Sequence, residues 1–128
     1  MHVIRVASGK DLPVIHRLQN IPLREQILNT PLPPYEQFFA ETMSRLGSSE
    51  HYFLHETDGQ PAGFVQYTRT PETCEPTVWG RWLNTLVFAC AKIAFDHLNV
   101  PKLNWSVRKA NKRAVQCYDR FHFRRTGA

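Results

Sequence analysis

The chain has 128 residues, 42% of them apolar and 21% charged, which is ordinary for a globular protein and about the length of one domain around one core. No apolar run approaches the ~20 residues of a membrane span, and the opening MHVIRVASGKDLP lacks the apolar stretch of a signal peptide. Cys74, Cys90 and Cys117 have neither an even count nor a C-x-x-C spacing, so the expectation is a cytoplasmic protein with reduced thiols and no membrane partner.

The net charge of +5 is unevenly placed. Eight of the sixteen Lys and Arg lie between Lys102 and Arg125, where Asp119 is the only acid. Such a segment suits an anionic partner: a phosphorylated cofactor, a nucleotide-sugar or a nucleic acid. A solvated surface explains the same charge equally well.

In chain order, Val3, Ile4 and Val6 make a short strand. Ser8 or Asp11 caps a helix with Pro13 in its first turn and Leu12, Ile15 and Leu18 on one face. Ile21–Pro34, punctuated by Pro22, Pro31, Pro33 and Pro34, reads as a loop with room for one helical turn at Leu23–Leu28. Tyr35–Leu46 is an amphipathic helix with Phe38, Phe39, Met43 and Leu46 inward, stopped by Gly47. A hairpin follows: Tyr52–Thr57, the turn Asp58-Gly59, and Ala62–Thr68, with Pro61 and Gly63 predicting an irregularity.

Thr70–Pro76 reads as a loop and Thr77–Leu83 as a short strand interrupted by Gly80. Asn84 or Thr85 then caps a helix over Leu86–Leu98, apolar nearly all round and so expected to be covered on several sides. Leu103, Trp105 and Val107 alternate with Asn104, Ser106 and Arg108 in a strand that follows Pro101. Asn111 caps a helix whose stripe is Ala114, Val115, Tyr118 and Phe121, and Phe121 and Phe123 open a closing strand. The order is β-α-α-β-β-β-α-β-α-β. It specifies an α/β (α+β) single domain over residues 1–128, with a mixed, mostly antiparallel sheet and flanking helices.

Three pieces in this order resemble the GNAT (GCN5-related) N-acetyltransferase family. IRVASGKDLPVIHRL is similar to its first strand and helix, and HYFLHETDGQPAGFVQYT to its central hairpin. KLNWSVRKANKRAVQCYDRFHFRRTG resembles its fifth strand, Asn-headed helix bearing a Tyr, and closing strand. The loop and helix IPLREQILNTPLPPYEQFFAETMSRL with VWGRWL are further similar to members that acetylate nucleotide-linked aminosugars.

The resemblance implies the acyl-CoA N-acyltransferase fold, acetyl-CoA as cofactor and the primary amine of a small molecule as acceptor, with direct attack in a ternary complex. It implies Tyr118 as the proton source for the leaving thiolate and Asn111 as a contact of the pantetheine arm. The family holds the pyrophosphate on backbone N–H groups of a Gly-rich turn at a helix start. Here that stretch is Gly80-Arg81-Trp82-Leu83-Asn84-Thr85, an abbreviated cradle in which Trp82, Leu83, Asn84 and Thr85 are the cofactor candidates and Arg81, Lys112 and Arg113 could reach the phosphates. The family's seventh strand is missing after Thr126-Gly127, and the sheet edge this leaves favours a homodimer.

Each role has a structural alternative. Tyr118 could pack through its ring with its hydroxyl on backbone, Asn111 could be a plain helix cap, and the arginines a solvated face. Glu75 is the candidate general base, beside Glu56, His55 and His97. No His, Cys, Asp or Glu set has metal spacing, since His51 and His55 are four apart but on a strand. A family member without catalysis that binds a ligand or partner is the second reading. Nucleic-acid binding through Trp105, Phe121 and Phe123 is the third and weakest, because their alternation points them into the core.

Overall fold

The structure, a computed structural model, describes residues 1–19, 32–71, 73–105 and 111–121. Strand β1 (His2–Val6) runs into a single 3-10 turn at Gly9–Asp11 and helix α1 (Leu12–Gln19). Helix α2 (Tyr35–Arg45) precedes β2 (Glu50–Thr57), β3 (Gln60–Arg69) and β4 (Cys74–Gly80), and α3 (Leu83–Asp96) and α4 (Lys112–Arg120) complete the described elements. Among the described residues the sheet has four strands, ordered β1-β2-β3-β4 with each neighbouring pair antiparallel. This is the α+β architecture expected, built as three layers.

Alternation along β3 and β4 sends side chains to two cores. On one face Val65, Tyr67, Cys74 and Val78 pack with Leu86, Val87, Cys90 and Ala94 of α3 and Cys117 of α4. On the other, Leu54, Phe64 and Trp79 pack with Leu12 and Ile15 of α1 and Phe38 of α2. A polar tip fixes each layer. Tyr67 Oη donates to the Cys90 carbonyl (2.5 Å), and Trp79 Nε1 to the Leu18 carbonyl (2.8 Å) at the end of α1. Arg5 donates to both Asp11 carboxylate oxygens (3.0 and 3.1 Å) and to Glu56 (3.0 Å), tying β1 to the head of α1. The Arg5 guanidinium holds the Asp11 carboxyl below its ordinary pKa.

The hairpin irregularity falls where Pro61 and Gly63 place it. The register shifts between His55 and Glu56, which pair with Gly63 and Pro61 and leave Ala62 as the extra residue. Asp58 and Gly59 supply the positive φ angles of the turn (50° and 80°).

Other expectations are corrected. The strand after the hairpin covers Cys74–Gly80, not Thr77–Leu83, so part of the presumed Thr70–Pro76 loop is strand. Pro76 breaks the local pattern, yet pairing with Tyr67 across β3 holds the segment extended. Helix α3 starts at Leu83, and its N-cap is Trp82, which makes no side-chain cap; neither Asn84 nor Thr85 plays that part. Instead of being covered on several sides, α3 leaves Phe88 and Phe95 61% and 46% exposed. In α2, Phe38 and Thr42 are the buried residues while Phe39 and Met43 face out, because only one side of this helix meets α1 and the sheet.

Leu103–Trp105 form no ladder, but the Asn104 N–H donates to the Cys74 carbonyl (3.0 Å) and lies beside the start of β4. Most of the Ile21–Pro34 loop, the rest of the strand beyond Trp105 and the closing strand from His122 lie outside the described residues.

Gly63 and Gly80 face each other across β3 and β4. A Cβ at Gly63 would stand 2.2 Å from the Trp79 carbonyl oxygen, a backbone atom that cannot move aside without breaking the ladder. Gly63→Ala is expected to destabilise the fold by about 2–4 kcal/mol, read as a lower urea midpoint at unchanged m-value.

Candidate functional site

Where β4 ends, the chain has two residues, Arg81 and Trp82, before α3 begins. Gly80 takes a φ of +157°, and a Cβ there would meet the Ala62 carbonyl at 2.8 Å and Leu86 Cδ1 at 3.0 Å. The turn is therefore short and sterically fixed at its first residue. The opening amides of any helix lack intrahelical acceptors, and Trp82 gives α3 no side-chain cap. The start of α3 thus combines free donors with the positive end of the helix dipole.

Beside it lies a cavity of about 380 Å³ lined by Arg81, Trp82, Leu83, Asn84, Thr85, Arg113, Gln116, Cys117 and Arg120. Three arginines border it, and among the described residues no carboxylate does. An uncapped helix start with three cations is a fitting receptacle for phosphate oxygens.

Helix α4 supplies the opposite wall. Asn111 Oδ1 accepts from the Ala114 N–H (3.3 Å), the expected N-cap, and orients the helix so that Arg113, Gln116, Cys117 and Arg120 face the cavity at three- and four-residue spacing. Cys117 Sγ donates to Asn84 Oδ1 (3.1 Å), and Arg113 donates to the carbonyls of Gly80 (3.4 Å) and Arg81. Burial raises the pKa of the Cys117 thiol against the opposing pull of Arg120 and Arg113, so it stays protonated near neutral pH and is no nucleophile.

Of the candidates named from sequence, the cavity brings together Arg81, Trp82, Leu83, Asn84, Thr85 and Arg113. Asn111 stands at the head of α4 and does not line it. Tyr118 turns toward the core instead, its ring 4.7 Å from that of Trp105. Burial first, then the neighbouring Cys90 and Cys117, raises the Tyr118 pKa, so the phenol keeps its proton. Glu75 is exposed on β4, and strand alternation puts it on the α1/α2 side with Trp79, away from Tyr118. Sequence reasoning missed Gln116, Cys117 and Arg120, although their spacing from Arg113 marks one face of a helix.

A histidine pair adjoins the turn. His2 Nδ1 and His55 Nε2 are 3.0 Å apart, within hydrogen-bond distance, their rings stack at 5.1 Å, and His2 meets the edge of Trp82 at 4.9 Å. His55 is fully buried, and among the described residues its Nδ1 has no hydrogen-bond partner. Among the described residues no group of three or more His, Cys, Asp or Glu could hold a metal, and no helix is long and apolar enough to cross a membrane.

A layered fold with an amide-and-guanidinium receptacle at the head of a helix defines a protein built to take a phosphorylated ligand. The acetyltransferase (GNAT) family model matches residues 15–123, and the chain belongs to that family. It is an acetyl-CoA-dependent N-acetyltransferase acting on amines. Among solved structures it is similar to spermidine N-acetyltransferase from Vibrio cholerae in complex with CoA and spermine, with a TM-score of 0.85 at 19% identity, covering 98% of this chain and 82% of that one. It is also similar to the N-acetyltransferase PseH of Campylobacter jejuni, with a TM-score of 0.72 at 20% identity, covering 99% and 90%. At these identities the likeness is one of fold. Comparison with curated protein sequences gives no match.

Desolvation first, then the neighbouring His2, lowers the pKa of His55 from its ordinary 6.5. The unfolded chain takes that proton near 6.5 while the folded chain resists it. The stability is therefore complete above 6.5 and is lost as pH falls through and below that value. His51, lowered by desolvation and then by Arg69, has the same sign. His55→Phe should shrink, without abolishing, the fall in melting temperature between pH 7.5 and pH 5.5 followed by circular dichroism.

Proposed function

We propose that this single domain transfers the acetyl group of acetyl-CoA to the primary amine of a small molecule, by direct attack with both substrates bound. The observation that carries this reading is the cavity in which six residues of the expected cofactor set converge on an uncapped helix start. Arg81, Trp82 and Arg113, with the amides of Leu83, Asn84 and Thr85, would receive the phosphates. Asn111 would set the head of α4 toward the pantetheine arm.

When bound, acetyl-CoA supplies a thioester whose carbonyl carbon takes the amine and whose sulfur leaves. Tyr118 holds a proton for that sulfur. Burial raises its pKa, so the phenol stays protonated until a strong base such as a thiolate forms beside it. Glu75, on the opposite side of β4, would take the proton of an amine arriving from the α1/α2 side, directly or through water.

The charge balance favours an acceptor that brings negative charge. With sixteen basic and eleven acidic residues, the chain is poorly suited to draw in a polycation such as a polyamine. A nucleotide-linked aminosugar, with its phosphates, fits that field and the likeness of the Ile21–Leu46 stretch to enzymes of that type. Three free, buried cysteines accord with a reducing cytoplasm.

Tyr118→Phe should lower kcat about 100-fold while leaving the calorimetric affinity for CoA within about twofold. Unchanged turnover would exclude the phenol as the acid. In the wild type, kcat/KM for a nucleotide-linked aminosugar should exceed that for spermidine, and the reverse order would refute the acceptor assignment.

A further inference from the structure

The family's phosphate turn owes its shape to several glycines; this chain has one, Gly80, followed by two bulky residues. Something other than local backbone freedom must hold Arg81 and Trp82 in place. Gly80 itself is pinned by the Ala62 carbonyl and Leu86. Beyond it, the Trp82 carbonyl accepts the first helical bond from the Leu86 N–H (2.9 Å), and the Gly80 (3.4 Å) and Arg81 carbonyls accept from the Arg113 guanidinium of α4.

We propose that Arg113 is a positioning residue, a side-chain clasp that replaces the missing glycines by fixing the two-residue turn between β4 and α3 and so presenting the first amides of α3 to the cofactor phosphates. The inference rests on the cofactor reading of the cavity. It refines the part of Arg113 from a charge at the phosphates to a fork on the turn.

Three features support it. Two adjacent carbonyls at the rim of an anion site are electrostatically unfavourable, and a cation bonded to both cancels that effect. A planar guanidinium can span two acceptors in fixed geometry, as an ammonium cannot. The clasp also joins α4 to the β4–α3 junction on the cavity side, while the Cys117–Asn84 hydrogen bond joins the same two helices within the wall. Together they give the cavity a fixed width.

The distinguishing substitution keeps the charge and removes the fork. Calorimetric titration of CoA into wild type, Arg113→Lys and Arg113→Ala should give micromolar binding for the first and about tenfold or weaker binding for both variants. Without ligand, acrylamide quenching of Trp82, 45% exposed in the turn and isolated by comparison with a Trp82→Phe control, should rise in Arg113→Lys as the turn loosens. Wild-type affinity in Arg113→Lys, or weakened binding with unchanged Trp82 quenching, would overturn the clasp and return Arg113 to a direct charge contact. Absence of heat with the wild type at millimolar CoA would instead refute the cofactor reading of the cavity, and the clasp with it.

Discussion

Gly63 and Gly80 come together across the last two strands at a separation no side chain permits, and the site depends on that closeness. Their approach lets β4 end flush against β3, so α3 can begin after only Arg81 and Trp82. It also brings Leu86 against Gly80, seating the first turn of α3 on the sheet edge. An uncapped helix start is costly in most settings because its donors go unanswered. Here it opens onto a cavity rimmed by arginines, where the same free donors face an electropositive space suited to an anion.

The two cores divide the labour around this junction. The face covered by α3 and α4 holds Tyr118, the three thiols and the cavity wall, and its apolar character governs the chemistry: burial keeps phenol and thiols protonated. The face covered by α1 and α2 is tied to β4 through Trp79, whose indole reaches the Leu18 carbonyl. That bond fixes the end of α1 against the sheet. One strand, β4, therefore references both halves of the site.

Much of this architecture was written locally. Asp58-Gly59 announced the hairpin, Pro61 and Gly63 its irregularity, and Asn111 the cap of α4, because each depends on backbone angles or a hydrogen bond within a few residues. That Arg81–Thr85 would stand together at a helix start was also legible, since adjacency in sequence places them there, and the structure adds Arg113 to the same cavity. Less visible were Gln116, Cys117 and Arg120, which join the wall only because α4 packs beside the head of α3.

By itself, the sequence determined the order of the elements from β1 to α3, the turn chemistry and the cap of α4, for these follow from short-range sterics and periodicity. Tertiary structure decided that Cys74–Pro76 belong to a strand against their local preference, since ladder pairing with β3 outweighs propensity. It decided that Phe39 and Met43 face outward, since burial depends on which side of a helix finds a neighbour. And it decided that Tyr118 and Glu75 stand on opposite sides of the sheet while Arg113 grips the turn 32 residues before it, relations set only when α4 docks beside α3.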